Sequence, residues 1–152
     1  MKKIIAALLV LFGSFALSGC SSTNSDIVIT DAWVRSSEYS DHVGGMTGIF
    51  AKLTNNTDHD ITLVGGSTDI APMVQTHEVV DGMMQEREGG IVVPAGETVT
   101  LEPGGLHVML MNLKEPILSG DTVKFTFKTD HGEQSFDLTA KPSEGGDEDY
   151  KG

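Results

Sequence analysis

The stretch Leu101-Glu102-Pro103-Gly104-Gly105-Leu106-His107-Val108-Met109-Leu110-Met111 decides how this chain folds. A short β-rich run ends at Leu101, a Pro-Gly-Gly turn follows, and a second run begins at Leu106. A strand alternates its side chains between two faces. Leu106, Val108 and Leu110 therefore share an apolar face, while His107, Met109 and Met111 share the other. An imidazole and a thioether two residues apart form half a site for a soft metal ion. Cu(I) is the ion that these two donors together suit best.

The same strand-and-turn grammar extends in both directions. Upstream lie Ile27–Thr30, Ala32–Arg35, Met46–Thr54 ended by Asn55-Asn56-Thr57-Asp58, and Ile61–Val64 closed by Gly65-Gly66. Val74–Val80 and Met83–Arg87 flank Asp81-Gly82, a strong two-residue hairpin signal. Ile91–Val93 and Thr98–Leu101 precede the opening stretch, and Thr122–Lys128 and Gln134–Leu138 follow it. No segment carries a long 3.6-residue apolar period. Many short strands with regular turn signals predict an all-β, antiparallel sandwich or barrel.

The hairpin fixes a register. With Asp81-Gly82 as the turn, Val80 pairs with Met83, Val79 with Met84, Glu78 with Gln85, and His77 with Glu86. Cross-strand partners share a face, so His77, Met84 and Glu86 lie together. They form a second half-site able to meet His107 and Met109.

The ends carry different information. Lys2 and Lys3 precede an apolar run, Ile4–Leu17, that is too short for a comfortable membrane span and reads as a secretory leader over residues 1–19. It ends in Leu17-Ser18-Gly19-Cys20, which resembles a bacterial lipobox, so Cys20 is the expected lipidation site and residues 20–26 a tether. The domain proper is expected over 27–140. Residues 141–152, rich in Gly, Asp and Glu, read as an acidic disordered tail.

Cys20 is the sole cysteine in 152 residues. Once acylated it leaves the domain without a thiol. That excludes disulfides, blue-copper centres and dinuclear copper centres, which need cysteine. With the leader removed, 8 basic residues face 22 acidic ones, a net charge near −14. Such a surface repels nucleic acid and anionic lipid and attracts cations. No nucleophile elbow, phosphate loop or His-Glu-x-x-His motif is present, so an enzyme is not expected.

The chain resembles the PCu(A)C family of periplasmic copper chaperones from about Ile29 to Thr129. The resemblance rests on Ala32-Trp33-Val34-Arg35, Leu53-Thr54-Asn55-Asn56, His77-Glu78, Pro94-Ala95-Gly96 and the whole of Leu101–Met111. It implies a cupredoxin-like Greek-key β-sandwich that binds one Cu(I) ion through two histidines and two methionines. His77, His107 and Met109 match the family pattern. At the remaining position the hairpin is shorter than the family's common form and Glu86 stands where a methionine is expected. Met84, the nearest thioether on that face, is taken as the fourth ligand; Met46 and Met73 are reserves. His42, His59 and His131, in polar or turn contexts, read as solvated, with weak adventitious metal affinity at most.

The resemblance further implies a lipid-anchored, extracytoplasmic chaperone. It would deliver Cu(I) toward cytochrome c oxidase subunit II, directly or through a Sco-type thiol protein. A copper-buffering lipoprotein without an oxidase client and a metal-free adhesion or scaffold lipoprotein are the competing readings.

Overall fold

The computed structural model describes residues 26–37 and 45–142. The leader, Cys20, most of the tether, His42 and the tail beyond residue 142 lie outside the described residues. Among the described residues there are ten strands: β1 (Ile27–Arg35), β2 (Gly45–Asn55), β3 (Ile61–Ser67), β4 (Met73–Val80), β5 (Met83–Glu86), β6 (Ile91–Val93), β7 (Thr98–Leu101), β8 (His107–Leu113), β9 (Thr122–Thr129) and β10 (Gly132–Lys141). No described residue is helical.

The strands are hydrogen-bonded in the order β5-β4-β8-β2-β1-β10-β9-β3-β6, with β7 against β2. Every pairing is antiparallel except that of β1 with β10, which is parallel. Along one edge β2 changes partner: Gly45–Ile49 pairs with β8 and Ala51–Thr54 with β7. The open sheet curls so that both halves of this path bury their apolar residues in one cluster. Ile49, Leu53, Val108 and Leu110 come from one half, and Leu63, Val93, Phe125, Phe127 and Leu138 from the other. Phe125 and Phe127 meet edge to face, with ring centroids 4.7 Å apart at 83°, the arrangement that opposes positive ring edge to negative ring face. Both are fully buried. Truncating either to alanine costs about 3–5 kcal/mol.

Two local departures from the expected strands have clear causes. Ile27–Thr30 and Ala32–Arg35 are one strand, interrupted by a register shift against β2 between Thr30 and Trp33. Asp31 sits there with φ of 54°, and its carboxylate is held by Lys52 Nζ at 2.9 Å. Gly65-Gly66 does not close β3, which continues to Ser67. A Cβ on Gly66 would lie 2.1 Å from the Phe125 ring and 2.6 Å from the Thr126 carbonyl. The glycine therefore permits close approach of β3 to β9.

Candidate copper centre

The Glu102–Leu106 turn delivers His107 to its place. The Glu102 N–H donates to the Leu106 carbonyl at 2.8 Å, and the Gly105 N–H donates to the Glu102 carbonyl at 3.0 Å. Gly104 takes φ of 78°, which a side chain disfavours. The Gly105 carbonyl is thereby aimed at Nδ1 of His107, 2.9 Å away. A carbonyl only accepts, so Nδ1 carries the proton and Nε2 keeps the ring's lone pair. That Nε2 is sealed from solvent.

The β4–β5 register follows the expected hairpin pairs in full, His77 with Glu86 and Val79 with Met84 among them. On its other side β4 pairs with β8, placing His77 opposite His107, Gln75 opposite Met109, and Met73 opposite Met111. The two imidazoles face each other with centroids 5.6 Å apart at 50°. Met109 follows His107 on the same face, about 6.7 Å along the strand, and is completely buried. Met84 shares the face at the diagonal position from His77 and is half-buried. Of the reserves, Met73 is exposed and Met46 half-buried, at the register shift between Gly45 and Thr47.

A polar chain sets the tautomer of His77. Gln75 Nε2 donates to the Glu86 carboxylate at 2.9 Å. The Gln75 amide oxygen must then be the atom that faces His77 Nε2, at 3.1 Å. An amide oxygen accepts, so His77 Nε2 carries the proton. The lone pair is left on Nδ1, which is buried and has no hydrogen-bond partner. A histidine oriented by its second nitrogen, with the first left bare, is the usual preparation of a metal ligand. Burial, reinforced by the His107 ring opposite, holds the His77 imidazole below its ordinary 6.5, although the Glu86 carboxylate pulls the other way. The neutral, metal-binding form is thereby favoured.

Glu86 sat nearest to the expected fourth-ligand position. Its carboxylate is exposed and accepts a hydrogen bond from Gln75. Gln75, which joins Glu86 to His77, is the residue of this face that the sequence does not single out. Its signal was its position two residues before His77, on the same strand face.

Aromatic side chains back His107. Phe50 is buried, 6.2 Å from the His107 ring and 4.6 Å from Trp33. Its ring lies over Gly48, where a Cβ would approach it to 2.8 Å. Gly48 is the β2 residue opposite Met109, and its lack of a side chain leaves the Phe50 ring its room there. Among the described residues no three His, Cys, Asp or Glu side chains converge as a metal shell. A metal held at His77 and His107 would draw on the thioethers of the same face, a donor set for a soft ion.

Comparison with known proteins places the chain in a family and a fold. The LpqE-like family description, "Putative lipoprotein LpqE-like", matches residues 27–139. "Putative lipoprotein Lxx21020" of Leifsonia xyli subsp. xyli (strain CTCB07) is 34% identical over 131 residues, 83% of this chain and 76% of that protein. Among solved structures, the copper-bound PCuAC domain from PmoF2 superposes with a TM-score of 0.66 at 22% identity, covering 78% of this chain and 94% of that one. The solution structure of the Cu(I) form of DR1885 from Deinococcus radiodurans gives a TM-score of 0.59 at 34% identity, covering 72% of this chain and 74% of that one. The chain belongs to the LpqE-like family, and its domain is a cupredoxin-like β fold of the PCuAC type.

Proposed function

We propose that this protein is a lipid-anchored, extracytoplasmic copper chaperone that carries one Cu(I) ion on His77, His107, Met109 and Met84 and passes it toward cytochrome c oxidase. One observation carries the reading: two imidazoles on adjacent strands face each other, and each has one nitrogen held in a hydrogen bond. The thioethers of Met109 and Met84 lie on the same face. The lipoprotein naming of relatives and the lipobox-like Leu17–Cys20 support an envelope location. The copper-bound and Cu(I)-bound relatives support copper as cargo.

Such a donor set suits its compartment. Outside the cytoplasm exposed thiols oxidise, whereas thioethers and imidazoles bind Cu(I) without losing a proton. Transfer then proceeds by ligand exchange: an incoming thiolate or imidazole replaces one donor at a time, and no covalent bond of the protein changes. Met84, on the short edge strand β5, is the donor best placed to be displaced first.

The test is an anaerobic Cu(I) titration of the full chain against a competing chelator. One equivalent should bind tightly, and replacing His107 with Ala together with Met109 with Leu should abolish that competition. Unchanged affinity in the double variant would refute the site. Client identity is tested separately: deletion should lower assembled oxidase copper, whereas raised copper sensitivity with intact oxidase would favour buffering.

A further inference from the structure

The two exposed histidines at the opposite end of β1 from the Trp33–Phe50–His107 stack are not independent solvated side chains. His59, on the β2–β3 loop, and His131, in the β9–β10 turn, stack with ring centroids 4.6 Å apart. His59 Nε2 lies 3.4 Å from His131 Nδ1. The His59 loop is anchored from below: buried Asn55 donates through Nδ2 to the His59 carbonyl at 2.7 Å and to the Val93 carbonyl at 2.9 Å. The His131 backbone is held by its N–H donating to Thr129 Oγ1 at 3.2 Å. The juxtaposition is therefore set by the fold.

A carboxylate flanks each histidine. His59 Nδ1 lies 3.1 Å from the Asp58 carboxylate. A carboxylate accepts, so Nδ1 carries the proton and Nε2 accepts from His131 Nδ1–H; binding a cation between these two nitrogens shifts the His131 proton to its Nε2. This is the carboxylate–histidine arrangement that orients metal ligands. On the other side, Asp26 Oδ2 is 3.8 Å from His131 Nδ1. Two nitrogens at about 2.0–2.1 Å from a tetrahedral ion stand about 3.4 Å apart, the separation observed. The shell is not closed, since no three such side chains already converge. The exposed Asp26 carboxylate needs a side-chain rotation to join. A cleft of about 240 Å³ lined by Asp26, Ile61, Thr129, His131 and Gln134 leaves room for water as a further ligand.

We propose that His59 and His131, with Asp26 drawn in on binding, form a second metal site, selective for a divalent borderline cation such as Zn²⁺ or Cu²⁺. Two imidazoles and a carboxylate favour such ions over Cu(I). The acidic chain, with 22 Asp and Glu against 10 Lys and Arg, raises the local cation concentration. This site shares no residue with the His77–His107 face and stands or falls independently of it.

The test titrates the full apo chain with Zn²⁺ against a chromophoric chelator, and with Co²⁺ followed by its visible d–d bands. One Zn²⁺ equivalent should bind. His59→Gln and His131→Gln should each weaken it tenfold or more, Asp26→Asn by a smaller factor, and none should alter Cu(I) affinity, which also reports that the variants fold. His107→Ala should leave Zn²⁺ affinity unchanged. Zn²⁺ binding that survives both histidine substitutions, or that is lost in His107→Ala, would overturn the proposal, as would the absence of any binding.

Discussion

Replacing Gln75 with Leu is the sharpest test of how the copper face is prepared. Gln75 is the middle of the chain from Glu86 through Gln75 to His77, with separations of 2.9 and 3.1 Å. Leucine keeps most of the side-chain volume and removes both hydrogen bonds. His77 then loses the acceptor that holds its proton on Nε2. The proton is free to move to Nδ1, the nitrogen left bare for metal. One neutral hydrogen bond contributes about 0.5–1.5 kcal/mol, and His77 is half-buried, so water replaces part of what is lost. A net loss of about 1 kcal/mol corresponds to roughly fivefold in affinity, a little below the usual range for losing a histidine-orienting partner. Two assays read this together. Chelator competition under anaerobic conditions should show Cu(I) binding weakened about fivefold. Long-range ¹H–¹⁵N correlation of the apo protein should show His77 shifting from the Nε2–H form toward a mixture, while His107, held by the Gly105 carbonyl, stays unchanged. If Gln75→Leu binds Cu(I) as tightly as the parent and His77 keeps its proton on Nε2, the orienting chain has no role.

Three further outcomes follow from the same geometry. Because burial and the His107 ring depress the His77 value below 6.5, an unfolded chain takes up this proton before the folded one as pH falls. Apo stability should therefore decline as pH drops from above 6.5 through the depressed value, and urea midpoints of His77→Gln should lack that component. Gly66→Ala forces a methyl onto the Phe125 ring and the Thr126 carbonyl at 2.1 and 2.6 Å; overpacking of this kind costs about 1–3 kcal/mol, and more where backbone is struck, read as a lowered thermal midpoint. Trp33, the sole tryptophan, reaches His107 through Phe50, so its emission should change on Cu(I) loading and stay constant in His107→Ala.

Local rules carried most of the fold. Ile91–Val93 and Thr98–Leu101 have the strand limits their turn residues imply, and Asp81-Gly82 set the β4–β5 register residue by residue. Strand alternation likewise separated Val108 and Leu110, in the core cluster, from His107 and Met109. Contacts across the tertiary structure were not legible. Gly65-Gly66 has the composition of a turn, and only the ring of Phe125 shows why a strand needs glycine there. Gln75 reads as one more polar residue until Glu86 fixes which way its amide points. His59 and His131 are 72 residues apart; nothing local says that a loop and a turn meet. The parallel pairing of β1 with β10 was likewise outside the antiparallel expectation, because it joins the two ends of the domain.

That last pairing governs the order in which the domain can be finished. β10 is last in sequence, yet it lies inside the sheet between β1 and β9, with Trp33 beside Thr139 and Ala140 beside Val34. A chain emerging N-terminus first must hold β1 and β9 with open edges until Gly132–Lys141 arrives. Contacts of this sequence separation slow folding, and unpaired edges invite aggregation and proteolysis. The final insertion of β10 is thus a zipper that both closes the core over Leu138 and ends the vulnerable interval.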